Sequence, residues 1–244
     1  MRSFQEHTNR GVAAVACSDR RIFFSGGRDG AIVKMDVLFL PRFFIKRKVH
    51  NSLLGRIALG ATFIVSANYD ENVLKMWNMD LEPTQTLVGH EQNLWSVAVH
   101  PNSTMIVSGN DGGEVKVWKE GEGEKWACTK TLKDHADEVR TVVFSPNGEL
   151  LATGSKDKTI KVYSVANDFS CIHTLEEHTR IINSLSPSPS TVLASSPAVT
   201  IIRSACGHTE CDGRNVAEES RQRAHRLHRY RRLFAQREPA SQLQ

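Results

Sequence analysis

Short runs in which apolar and polar residues alternate recur along the chain, each bounded by Gly, Pro, Asn, Asp or Ser. Leu94–Val99, Met105–Ser108 and Glu114–Trp118 are three such runs, separated by Pro101, Asn102 and Ser103 and then by Asn110, Asp111, Gly112 and Gly113. Val139–Phe144, Leu150–Thr153 and Thr159–Tyr163 repeat the scheme around Ser145, Pro146, Asn147 and Gly148. A period of two puts alternate side chains on opposite faces, and turn residues every few positions join neighbouring runs in antiparallel order. The pattern therefore predicts β-hairpins rather than helices.

The predicted strands come in sets. Four segments close alike, at Asp29–Asp36, Asp70–Trp77, Asp111–Trp118 and Asp157–Tyr163, with a period of about 42 residues. A histidine stands 20 to 22 residues before each closing aspartate, at His7, His50, His90 and His135, and His178 opens a fifth unit 43 residues after His135. Four short strands repeated at this period predict an all-β propeller, whose four-stranded blades bury their faces against one another. The expected architecture is a partial or open propeller of about five blades over residues 1–202, with blades near 4–46, 47–87, 88–132 and 133–175 and a degenerate one at 176–203.

The fifth unit decays. His178–Leu185 and Val192–Ser196 keep the pattern, but Pro187 and Pro189 crowd one turn, and Ser196–Arg203 has neither a turn acid nor a closing aromatic residue. Lysine stops at Lys161 while arginine continues. One alternative is therefore that residues beyond about 186 are an altered reading of a longer repeat protein, leaving this chain a fragment of it.

At these positions the chain resembles the WD-repeat family, whose blades carry Gly-His near the start and Trp-Asp near the end. The resemblance covers about Phe4 to Ile182, and Gly89 and His90 with Trp118 are its clearest instance. It implies a hydrogen-bonded set in each blade: His90, Ser108, Asp111 and Trp118; His135, Thr153, Asp157 and Tyr163; His50, Ser66, Asp70 and Trp77; and His7, Ser25 and Asp29, with Met35 in the aromatic slot. An indole N–H only donates and each imidazole nitrogen needs a partner, so such a chain satisfies its buried groups and stiffens the blade. Asp111 follows its serine by three residues where the other acids follow by four, Trp77 comes one residue late, Tyr163 replaces Trp and Met35 cannot donate. These departures mark divergent blades.

The resemblance also implies partner-binding positions near the start of each blade's first strand. They correspond to Trp95 and Asn93, Arg140 and Glu138, and Asn183. Trp and Arg are the residue types most enriched at interface hot spots. The stretch Gly89–Pro101 resembles a blade of the echinoderm microtubule-associated-protein-like family, which implies microtubule binding as one alternative.

Composition sharpens the picture at the chain's end. The 40% hydrophobic content supplies a core, and the net charge of +4 is all tail: residues 203–244 hold nine Arg, no Lys and five acids, while residues 1–202 are balanced. This tail is expected to be irregular or disordered. Its run from Arg221 to Phe234 offers a second alternative, binding of nucleic acid or ribonucleoprotein through phosphate contacts. Cys206 and Cys211 with His225 and His228 approach the ligand order of a two-Cys, two-His zinc site, but both spacings miss it, so no metal is expected.

Five widely spaced cysteines without an apolar leader predict a reduced, intracellular chain, cytoplasmic rather than nuclear. The longest apolar run, Val37–Ile45, is broken by Pro41 and Arg42 and falls short of the roughly 20 residues a membrane span needs. Phosphate-binding, metalloprotease and nucleophile-elbow signatures do not occur, so no enzyme activity and no cofactor are expected. The expected function is a non-catalytic scaffold or adaptor that binds a protein partner on the propeller face.

Overall fold

The computed structural model describes residues 7, 11–18, 22–36, 44–51 and 54–187. Their sixteen strands form four antiparallel sheets of four strands each, every sheet a simple meander. The first sheet holds β1 (Val12–Cys17), β2 (Ile22–Gly27), β3 (Ala31–Asp36) and β4 (Phe44–Lys48). The second holds β5 (Leu54–Leu59), β6 (Phe63–Asn68), β7 (Val73–Asn78) and β8 (Pro83–Val88). In the third are β9 (Leu94–Val99), β10 (Met105–Asn110), β11 (Val115–Glu120) and β12 (Trp126–Leu132). The fourth comprises β13 (Val139–Phe144), β14 (Leu150–Ser155), β15 (Ile160–Ser164) and β16 (Ser170–Leu175). The basic stretch Ile45–Lys48 is thus an outer strand, where Arg47 pairs with Glu82 at 2.6 Å.

The first strands β1, β5, β9 and β13 lie side by side in succession, and the second strand of each sheet packs on the first strand of the next. The core is accordingly a series of joints between sheets. Phe24 and Ile32 meet Leu54, Ile57 and Trp77; Val65 and Leu74 meet Leu94, Ile106 and Trp118; Val107 and Val117 meet Val139, Leu151 and Tyr163. Glycine makes the close approach possible at the third joint, since a Cβ on Gly109 would fall 2.6 Å from Val139 Cγ1. This is the all-β, partial propeller that the repeat period predicts.

Four sheets occur among the described residues, where no strand follows β16, and the degenerate fifth unit is described only as far as residue 187. Residues 176–187 run without strand pairing, yet Ile182 and Leu185 are buried against Ala152 and Ile160. The Ile182 N–H donates to Ser155 O at 3.1 Å and the Leu185 N–H to Thr141 Oγ1 at 3.3 Å. The segment docks as the next inner strand would, but its donors turn to sheet four, and Pro187 has no N–H to extend a ladder. Val192–Arg203, Cys206, Cys211, His225, His228 and the arginine run 221–234 lie outside the described residues.

Candidate functional site

Two layers of polar residues need separating, one that braces the sheets and one that faces outward. In the first sheet the bracing layer joins His7 to Asp29 and Ser25, each at 3.0 Å. In the fourth, His135 Nδ1 lies 2.8 Å from Asp157 Oδ2 and its Nε2 2.7 Å from Thr153 Oγ1. A carboxylate only accepts, so Nδ1 carries the proton and Nε2 accepts from the hydroxyl. Both ring nitrogens are committed and burial lowers the His135 pKa despite its acid partner. His135 is thus a neutral strut rather than a free base.

The second sheet corrects one assignment. Glu71, not Asp70, faces His50, with Oε2 3.0 Å from Nδ1, while Ser66 bridges His50 Nε2 at 2.7 Å and Trp77 Nε1 at 2.9 Å. The β6–β7 hairpin contains one residue more than its counterparts, which moves the acid along by one. Burial opposes ionisation of Glu71, but Lys75, the Asn51 N–H and His50 outweigh it and hold its pKa at about 2.

The third sheet corrects another. His90 Nε2 meets Ser108 Oγ at 2.6 Å and Trp118 Nε1 donates to the same oxygen at 2.9 Å, but His90 Nδ1 is buried without a partner. Its acid slot is Gly112, and Asp111 instead accepts from Trp95 Nε1. In the fourth sheet Tyr163 fills the aromatic slot, but its hydroxyl is buried without a hydrogen bond. Met35 in the first sheet is half-buried opposite Phe23.

The outward layer arises from an irregularity shared by all four sheets. Each first strand bulges against its neighbour at its second residue, at Ala13, Gly55, Trp95 and Arg140. A bulged residue drops out of the ladder and its side chain is re-aimed. The hairpins between second and third strands add Arg28, Tyr69, Asp111 and Lys156, of which Arg28, Asp111 and Lys156 donate backbone N–H groups to Gly11, Asn93 and Glu138. These two registers converge on a depression of about 520 Å³ that includes Arg28, Arg56, Tyr69, Trp95, Arg140 and Asn183 in its lining.

At its centre the Arg140 guanidinium lies 3.8 Å over the Trp95 ring, and Tyr69 meets the same ring at 4.6 Å in an edge-to-face arrangement. Glu138 pairs with Arg140 and with Lys156, the latter at 2.7 Å. The platform is held from several sides before any ligand arrives, which lowers the cost of ordering it on binding.

Of the residues expected to face a partner, Trp95, Arg140 and Asn183 come together in this lining. Asn93 and Glu138 lie outside it: the Asn93 carbonyl holds the Asp111 turn and the Glu138 carboxylate anchors Arg140. Arg28, Arg56 and Tyr69 were not among the expected residues. The signal for Arg28 and Tyr69 was their place as the first residue after the second strand, one that Asp111 and Lys156 also hold. Among the described residues no group of three His, Cys, Asp or Glu side chains could hold a metal ion, and no helix is long and apolar enough to cross a membrane.

The family model for the WD domain, G-beta repeat matches residues 81–119, 126–164 and 169–197. Each of the first two segments takes the outer strand of one sheet and three strands of the next, so the sequence repeat straddles the structural joint. No curated protein matches the chain. The three matched segments cover less than half of the chain, and together with four sheets built on the same histidine-hydroxyl plan they make it similar to the WD-repeat family.

Proposed function

We propose that this chain is a non-catalytic adaptor that captures a segment of a protein partner in the depression around Trp95 and Arg140. WD-repeat domains as a family mediate protein interactions, which supports the general role. The observation that carries the particular site is the stack of Tyr69, Trp95 and Arg140, partly exposed and fixed by Asp111 and Glu138. Large aromatic and guanidinium surfaces of this kind supply most of the energy in protein interfaces because they bury area and still hydrogen-bond.

The test compares proteins captured by the full chain with those captured by Trp95→Ala, Arg140→Ala and a control, Lys119→Ala, which is exposed on β11 outside the lining. Quantitative mass spectrometry is expected to show the same partners lost from both site variants, by about tenfold, and retained by the control. Far-ultraviolet circular dichroism melting should be nearly unchanged, because neither side chain is fully buried. Identical capture by all four proteins would overturn the assignment.

A further inference from the structure

The depression has a sign as well as a shape. Three lining side chains are arginines, Arg28, Arg56 and Arg140, and none of the lining residues is acidic. The acids around it are engaged elsewhere: Asp111 with Trp95, Glu138 with Arg140 and Lys156, and Asp29 with His7 and Lys46. Asp70 is exposed beyond Tyr69 and lies outside the lining. Arg140 is neutralised by Glu138, whereas Arg28 and Arg56 have no acidic partner among the described residues.

Arg56 is the more telling of the two. It is the third residue of β5, the place that Ser96 holds in β9 and Thr141 in β13. There the small hydroxyl fastens the strand to the neighbouring segment of the stack: Ser96 Oγ donates to Val139 O at 3.1 Å, and Thr141 Oγ1 accepts from the Leu185 N–H at 3.3 Å. Arg56 makes no such fastening and places a guanidinium in the depression instead.

We propose that the depression receives an acidic peptide segment, with its carboxylates on Arg28 and Arg56 and an aromatic side chain against Trp95 and Tyr69. This rests on the reading of the depression as the partner site. A guanidinium matches a carboxylate in shape and charge, and in a cleft with low-dielectric walls its field is focused rather than dissipated. Peptide is favoured over nucleic acid because Val12, Ala13 and Leu54 line the same walls, and the arginines converge inward instead of tracking along a surface as successive phosphates require.

The experiment uses the full chain and fluorescence anisotropy with three labelled peptides of equal length, each with one Phe, rich in Glu, Gln or Lys, and with a labelled single-stranded oligonucleotide. The Glu-rich peptide should bind about tenfold more tightly than the Gln-rich one, and Arg28→Gln with Arg56→Gln should erase that difference. Gly55→Leu is the blocking variant. A Cβ at Gly55 meets only Ala67 O at 3.6 Å and Leu94 O at 3.7 Å, and Trp95 and Arg140 show that the bulged position accepts large side chains. It should abolish binding without lowering the melting temperature. If the Gln-rich or Lys-rich peptide binds as tightly and Gly55→Leu still blocks it, the acidic class is wrong while the depression stands as a binding site. If no peptide responds to Gly55→Leu, both readings fall. Preference for the oligonucleotide, lost in the arginine variants, would replace the peptide by nucleic acid.

Discussion

His90 shows what one missing carboxylate does to a buried ring. With Nδ1 unpartnered, burial and the nearby Lys116 lower its pKa to about 4. The folded chain therefore leaves this ring neutral down to about pH 4, whereas the unfolded chain protonates it near its ordinary 6.5. Between those values the unfolded state binds more protons, so stability falls as the pH drops, by about 3 kcal/mol over the whole interval. Asp157 and Glu71, both held at about 2, add a further loss only below the ordinary carboxylate range. Gly112→Asp places a carboxylate in the empty slot, with the exposed Gln92 side chain swinging aside from the new Cβ. We expect this variant to gain about 1 kcal/mol at neutral pH and to show a flatter dependence of melting temperature on pH between 6.5 and 4. An unchanged slope, also in combination with Gln92→Ala, would show that no bond to His90 forms.

At the level of strands and hairpins, two glycines separate a packing role from a site role. Gly109 lies where the second strand of sheet three meets Val139, and a Cβ there would fall 2.6 Å from Val139 Cγ1 and 2.7 Å from Ser96 Oγ. Gly109→Ala should cost about 1–3 kcal/mol through overpacking, while Gly55→Ala should stay within about 0.5 kcal/mol, as urea unfolding midpoints would report. Equal costs would mean that the joints yield more readily than close packing allows.

The same hairpins explain how much of the fold and site was legible in the sequence. Strands β9 and β13 have the bounds their alternation predicts, because each buries one face and register fixes the rest. The acid partners were harder to read, because the hairpins differ in length. Counting four residues from Ser66 reaches Asp70 because that hairpin is one residue longer, and in the third sheet the same count reaches Gly112, so that Asp111 is merely the nearest acid. The acid slot lies six residues before the aromatic slot in every sheet, which gives Asp29, Glu71, Gly112 and Asp157. Trp95 and Arg140 were visible by position, whereas the bulges that turn them outward depend on pairing with the second strand and leave no mark in local composition. Arg56 escaped for the opposite reason, since an arginine two residues after a buried leucine looks like any solvated strand position.

For the whole molecule, the sheets touch in order, so stability should spread along the stack from neighbour to neighbour rather than from one common core. The beginning of the stack is open among the described residues, with Val12 and Val15 exposed by 54% and 66% on β1. The fourth sheet, in contrast, is covered by Ile182 and Leu185, of which Ile182 sits over Gly154 as Leu54 sits over Gly26 and Val139 over Gly109. Residues 178–187 thus act as an end cap built from the start of a further unit. A chain ending at residue 187 should exceed one ending at residue 177 by about 3 kcal/mol in urea, the value of burying two aliphatic side chains. Because each sheet leans on its neighbour, hydrogen exchange should rise first in β13 to β16 of the shorter chain and leave β5 to β8 protected. Identical midpoints would mean that the segment rests on the fourth sheet without supporting it. Uniform loss of protection across all four sheets would show one cooperative unit in place of a stack.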